Sequence, residues 1–318
     1  MTEPRDARLL VVAIGGDAWR ETRRVAKPDD WFRALGRTLP PLVELVAAGF
    51  RLVLTHGNRS QVGDAMLRME LARRSLPPLS LDLCGAETQG SLGYAIQQVF
   101  GNLCRARGLE VPVATVVTRV VVDPQDPAFA RPTAPVGPVY PPAKAKRLAR
   151  EKGWAVARDG RRGFRRLLPS PRPLRVLEAE LVGRLSLAGA VAIACGGGGV
   201  AVVETPAGYR GVEALIEPDL ATETLATGLG AERLLLVTAV ERVVVSHGTA
   251  REIGIERLTL AEARMLLTAG EFPPGSMGPK VEAAARFVEQ GRGRAAIGDL
   301  DSAVAVLAEK SGTTIVSG

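Results

Sequence analysis

Short apolar, β-branched runs alternate with helix-length amphipathic segments along most of this chain, and the early runs empty into glycine turns. Strands separated by helices build βαβ units, and such units feed a mostly parallel sheet covered on both faces. The alternation predicts strands at 8–14, 50–55, 111–122, 188–194, 212–216, 233–238 (leading on to 243–245), 294–297 and 313–316. It predicts helices at 31–48, with a proline pair inside and Gly49 as its stop, and at 62–75, 88–107, 174–185, 219–228, 260–269, 278–290 and 302–310. Asp219 is the expected N-cap of its helix. In open parallel sheets ligands bind beyond the carboxyl ends of the strands. Glycine turns after Ile14, Thr55 and Ala194 therefore point to one anion-binding rim.

The pattern breaks between residues 123 and 173, where prolines and charges dominate a composition unsuited to a central sheet. This stretch reads as an excursion from the main body. It holds the densest basic run, Lys144 to Arg175, with Arg161-Arg162-Gly163-Phe164-Arg165-Arg166 at its centre. Trp154 and Phe164 are its only stacking candidates and it carries no nucleic-acid motif, so it is read as a solvated protrusion or an anion-attracting rim, with no nucleic-acid partner expected.

Several classes are excluded. No apolar run is long enough to cross a bilayer, so no membrane partner is expected. Three cysteines in apolar or helical contexts argue against a disulfide framework, and the charged start runs straight into a strand; the expected compartment is the cytoplasm. There is no G-x-x-x-x-G-K-[ST] loop, no G-x-G-x-x-G fingerprint and no G-x-S-x-G elbow. The two histidines and three cysteines lack metal-ligand spacing, and no metal ligands are assigned.

Two stretches invite polyanion chemistry. Gly275-Ser276-Met277-Gly278-Pro279-Lys280 sets a turn and an ammonium directly before a helical run, an arrangement that attracts phosphate. Taken alone it reads more readily as loop punctuation around a solvated first-turn lysine. Gly196-Gly197-Gly198-Gly199 removes four consecutive β-carbons, which allows close backbone approach to a ligand or simply a flexible turn.

Eight segments in one order then resemble the carbamate kinases of the amino acid kinase superfamily. They are Ile14-Gly15-Gly16-Asp17-Ala18, Thr55-His56-Gly57-Asn58 with Gln61-Val62-Gly63, Val121-Val122-Asp123-Pro124-Gln125-Asp126-Pro127-Ala128-Phe129, Pro135-Val136-Gly137-Pro138, Leu168-Pro169-Ser170-Pro171, Ile193-Ala194 with Cys195 and the four glycines, Gly211-Val212-Glu213-Ala214, and Pro274 to Ala283. The resemblance implies a three-layer αβα sandwich with a central, mainly parallel sheet, forming a single domain over 1–318. Residues from about 1 to 200 would hold carbamoyl phosphate or a similar small anion, and about 201 to 318 the nucleotide. A protruding subdomain would correspond to the excursion at about 123–173, and the assembly would be a homodimer. The implied reaction is reversible phosphoryl transfer between carbamoyl phosphate and ADP, giving ATP and carbamate, with Mg²⁺ accompanying the nucleotide.

By the same resemblance Lys280, Asp219, Arg59 and Gly16 are the expected catalytic positions. Gly15, Gly16, Asp17, Gly57, Asn58, Arg59, Gln61, Gly197 and Gly198 would bind substrate. Thr238, Gly275, Ser276, Met277 and Lys280 would bind nucleotide. The chain departs from the family at several of these places: Glu217-Pro218-Asp219 replaces Asp-Lys-Asp, Arg59-Ser60 replaces Gly-Pro, Asp17 replaces Asn, and Thr238-Ala239-Val240-Glu241-Arg242 replaces Thr-Asp-Val-Asp-Gly. A guanidinium at Arg59 could clamp phosphoryl oxygens where the lysine is missing. The alternative expectations are an impaired or repurposed binding protein, or a kinase of another small carboxylate.

Overall fold

Residue parity along the strand Leu9–Ile14 divides the molecule into layers. Leu9, Val11 and Ala13 join one buried cluster, while Leu10, Val12 and Ile14 join another on the opposite face. Successive side chains of a strand point to opposite faces, so an apolar run without alternation must be covered on both sides. The computed structural model describes residues 8–15, 28–160, 163–272, 277–291 and 293–318.

In chain order, β1 (Leu9–Ile14) is followed by α1 (Pro28–Thr38), α2 (Pro40–Ala47), β2 (Arg51–His56), α3 (Arg59–Ala72), the long α4 (Leu81–Ala106) and β3 (Val113–Thr115). β4 (Arg119–Val122) leads into β5 (Ala134–Tyr140), α5 (Pro142–Lys152), β6 (Val156–Arg158) and β7 (Phe164–Leu168). β8 (Pro173–Val176), α6 (Ala179–Leu187), β9 (Val191–Ile193), β10 (Val200–Thr205) and β11 (Gly208–Gly211) return the chain to the body. The remainder comprises α7 (Pro218–Gly228), β12 (Arg233–Thr238), β13 (Val243–Val245), β14 (Ile253–Ile255), β15 (Arg257–Thr259), α8 (Leu260–Thr268), α9 (Met277–Glu289), β16 (Arg294–Asp299), α10 (Ala303–Leu307) and β17 (Thr313–Val316).

Eight strands form the central sheet in the order β15-β17-β16-β12-β1-β2-β9-β3. The six from β16 to β3 run parallel, and β17 is antiparallel to β16. From β1 the chain moves outward through β2, then returns to place β12 on the other side of β1. The order therefore reverses between β1 and β12, which opens a crevice at their carboxyl ends. On one face α7 and α9 bring Ala221, Leu225, Val281 and Phe287 to the sheet, and on the other α1, α2 and α4 bring Leu35, Leu42, Ile96 and Phe100. The expected three-layer α/β sandwich is what forms.

The excursion carries its own sheet, β5-β7-β6, and its own small core of Tyr140, Ala145 and Leu148 with Trp154 and Phe164 packed on it. Several of its described cations are engaged. Lys152 and Arg166 lie 4.7 and 4.6 Å from the Trp154 ring, Arg165 pairs with Asp159, and Arg166 pairs with Glu213 of the main body. Arg161 and Arg162 lie outside the described residues.

Four local expectations are corrected. The run 111–122 is two strands in different sheets, because Thr118 turns inward: its amide and hydroxyl donate to Gln89 and its hydroxyl accepts from Cys195, in place of strand partners. Residues 174–185 begin as β8, which pairs antiparallel with β4, before α6 starts. Residues 212–216 are irregular, and the strand signal belongs instead to the hairpin β10–β11 just before them. Helix 31–48 is broken into α1 and α2 at the proline pair, whose rings fit a first turn but not a helix interior.

Candidate active site

A cleft of about 780 Å³ opens at the reversal point. Its floor is made by residues that leave β1, β2 and β12: Ile14 and Gly15, His56 and Gly57, Val237 and Thr238. Gly15 approaches the carbonyl of Val237 so closely that a β-carbon would stand 3.1 Å from it. Three helices direct their first turns at this space, through Arg59, Ser60 and Gln61 of α3, Pro218 and Asp219 of α7, and Met277 and Lys280 of α9. The positive ends of three helix dipoles thus converge on one cavity, an environment that favours polyanions.

Two ion pairs span it. Lys280 Nζ donates to both carboxylate oxygens of Asp219, at 2.9 and 3.1 Å, with both side chains nearly buried. Arg59 donates from Nη2 to Glu217 Oε2 at 3.1 Å, with its side chain more than one-third exposed. Burial raises the Glu217 carboxyl above its usual range; Arg59 opposes that rise, while Asp219 adds to it. Asp219 is not the N-cap of α7. Glu217 holds that position and Pro218 takes the first helical place, which puts Asp219 in the first turn facing the cleft.

The α3 entrance is built differently from an ordinary helix start. Val62 makes the first helical hydrogen bond, to the carbonyl of Asn58, and no described group accepts from the amides of Arg59, Ser60 or Gln61. Asn58 occupies the N-cap, yet its side chain does not cap. Its Nδ2 donates instead to Thr88 Oγ1 at 2.7 Å. Beneath it Thr55 and Thr222 share a 2.6 Å hydroxyl bond, and Thr222 donates on to the carbonyl of Pro218, so β2 and α7 are tied together under the floor.

Of the sequence-predicted site residues, the structure brings Gly15, Gly57, Asn58, Arg59, Gln61, Asp219, Thr238, Met277 and Lys280 to the cleft. Gly16, Asp17, Gly275 and Ser276 lie outside the described residues. Three of the expected binding positions have particular settings. The Gly57 amide donates to the carbonyl of Ile14 at 3.2 Å. Gly197 and Gly198 are buried behind the cleft and do not line it: a β-carbon on Gly197 would stand 1.9 Å from Asn58 Oδ1, and one on Gly198 2.5 Å from the carbonyl of Ile216. Their bareness makes room for Asn58 and Ile216.

Sequence reasoning missed Glu217 as a cleft carboxylate, and it missed Gly137, Pro138 and Arg165, by which the protrusion walls the cavity. It also missed Thr88, Gln89 and Thr118, the buried polar residues behind Asn58 and the glycine run. Gly137-Pro138 stood within a matched segment, which was the available signal. Nothing in the local sequence marks Thr88 or Gln89, which lie inside an ordinary helical run.

The fold and the cleft define an α/β protein whose three helix starts face a cleft at the switch point of a parallel sheet. The sequence model of the amino acid kinase family matches residues 8–299, and the chain belongs to that family. A carbamate kinase of Pyrococcus horikoshii is 42% identical over 96% of this chain and 98% of its own length. The carbamate kinase-like protein YahI of Escherichia coli is 38% identical over 97% of this chain and 98% of its own. Among solved structures, carbamate kinase from Giardia lamblia bound to AMP-PNP superposes with a TM-score of 0.92 at 34% identity, covering 98% of each chain.

Proposed function

We propose that this protein is a phosphotransferase of the carbamate kinase type, which exchanges a phosphoryl group between carbamoyl phosphate and ADP. The observation that carries the reading is the convergence of three helix first turns and the Lys280–Asp219 pair on one cleft at the sheet's switch point. Near-full-length similarity to carbamate kinases supports the same conclusion.

In the ATP-forming direction a terminal oxygen of ADP attacks phosphorus, the bond from phosphorus to the carbamoyl oxygen breaks, and carbamate leaves with the electron pair. Little covalent chemistry is asked of the protein, so positioning and charge compensation carry the catalysis. The free amides of Arg59, Ser60 and Gln61 bind phosphoryl oxygens at the α3 end, with the Arg59 guanidinium beside them. Lys280, held by Asp219, neutralises charge arising between the two substrates. Thr238, Ala239 and Met277 form the nucleotide side of the cleft. No cluster of three or more metal-ligating side chains exists among the described residues. The cleft carboxylates Asp219 and Glu217 instead fit a cation that arrives on the nucleotide phosphates, as Mg²⁺ does in nucleotide sites, where it supplies further charge neutralisation. A homodimer belongs to the same reading and is tested by light scattering.

The deciding experiment supplies purified protein with ADP, Mg²⁺ and carbamoyl phosphate and measures ATP against the spontaneous background. ATP well above that background supports the proposal, and none at high protein concentration overturns it. Acetyl phosphate run in parallel identifies a kinase of a different small carboxylate.

A further inference from the structure

We propose that Thr88 is a positioning residue for the phosphoryl end of the cleft: it holds the Asn58 amide away from α3 and so keeps that helix's first amides free for substrate. The inference rests on the phosphotransferase reading above.

Asparagine is among the best N-cap residues because its side-chain oxygen accepts from the second or third helical amide, here Ser60 or Gln61. Asn58 has the position but not the contact. The polarity of its alternative bond is fixed by a third group. Thr88 Oγ1 donates its proton to the carbonyl of Gly85 at 2.9 Å, so toward Asn58 it can only accept. Asn58 must present its NH₂ to Thr88, which turns its oxygen to the opposite side. Both residues are nearly inaccessible, Asn58 at 5% and Thr88 at 4%, so no solvent competes for this bond.

Gly197 supplies the room. Its φ of 65° is the left-handed conformation that favours glycine, and the Asn58 amide occupies the volume a β-carbon would need. α4 and the glycine run thus hold Asn58 in a pose that leaves three amides uncapped at the cavity wall. A helix of 14 residues with an unused entrance is a ready anion site, and a capping Asn58 would fill it.

Thr88→Val keeps the shape and removes the acceptor. Asn58, left buried without a partner for its NH₂, is then expected to turn toward Ser60 and Gln61 and occupy their amides. Steady-state assays should show KM for carbamoyl phosphate raised at least about tenfold, a change of about 1.4 kcal/mol by the relation of free energy to equilibrium constant. ADP affinity, measured by calorimetry at the other end of the cleft, should stay within about twofold, and the melting temperature should hold within a few degrees. Thr88→Ser restores the acceptor and should restore KM. Affinity for inorganic phosphate, measured by calorimetry, must fall in Thr88→Val and recover in Thr88→Ser, a readout that survives even if the protein transfers nothing. Wild-type phosphate affinity in Thr88→Val, equal loss in both variants, or a parallel loss of ADP affinity and melting temperature overturns the proposal. Should Thr88→Val fail to fold, Thr88→Ala carries the same comparison with Thr88→Ser.

Discussion

Lys280 on α9 and Asp219 on α7 meet across the cleft floor with two hydrogen bonds, 2.9 and 3.1 Å long, in a nearly buried pair. The helices that carry them both bury residues in one core cluster and are tied by an ion pair from Arg286 Nε to Glu223 Oε2 at 3.1 Å, so the ammonium is held by packed helices. An oriented cation at a transition state is worth about 2.7–4 kcal/mol. Lys280→Met is therefore expected to lower kcat roughly 10²- to 10³-fold. It also strands a buried carboxylate, so its stability falls, and the double variant Lys280→Met/Asp219→Asn should recover stability without recovering turnover. Thermal melts and kinetics on the two proteins check this; recovery of activity in the double variant would refute the assignment.

Arg59 and Glu217 form the second pair, and the Glu217 carboxyl is raised chiefly by burial. A raised acid favours its neutral form in the folded state, so its stabilising contribution is present below the ordinary carboxyl range and is lost as pH climbs through the raised value. Glu217→Gln should accordingly be at least as stable as the parent at pH 7, with the difference shrinking toward pH 4. Urea melts at both pH values measure it, and a variant that is weakest at pH 7 contradicts the account.

His56 ends β2 beneath the site, 2% exposed, and burial lowers its imidazole to about 4. The unfolded chain takes up a proton near pH 6.5 while the folded one refuses it until about pH 4. Stability therefore drops across that window, by about 3 kcal/mol at 1.36 kcal/mol per unit. His56→Gln should flatten the decline between pH 7 and pH 4 in a denaturation series. An unchanged slope would place the acid sensitivity elsewhere.

Gly197→Ala is expected to damage both fold and function. The residue has a φ of 65° and its β-carbon would overlap the Asn58 amide. Left-handed strain and steric conflict together should remove at least about 2 kcal/mol of stability, and displacement of Asn58 should raise KM for carbamoyl phosphate more than for ADP. Gly189→Ala, with a φ of 82° but open space around its β-carbon, is the control: it should show strain alone and normal kinetics.

Much of this architecture was legible in the linear chain. The unalternating apolar runs at 9–14 and 233–238 demanded cover on both faces, and the glycine after β1 and the lysine in the first turn of α9 marked the rim of the cleft. The matched segments supplied the family. What they could not supply was contact between distant groups. The run 111–122 looked continuous because periodicity does not reveal that Thr118 is needed by Gln89, 29 residues away. Gly197 and Gly198 looked like ligand positions because a missing β-carbon reads the same whether a phosphate or an asparagine fills the gap.

The amino-acid sequence by itself determined the layered sheet, the protrusion at the proline-rich break and the helix starts that favour phosphate, since each follows from local periodicity and backbone chemistry. Only the tertiary structure decided which charges pair, Lys280 with Asp219 and Arg59 with Glu217, and which polar groups stay free. Those outcomes depend on the few ångströms separating α3, α4, α7 and α9, distances set by packing across the whole fold and written in no single segment.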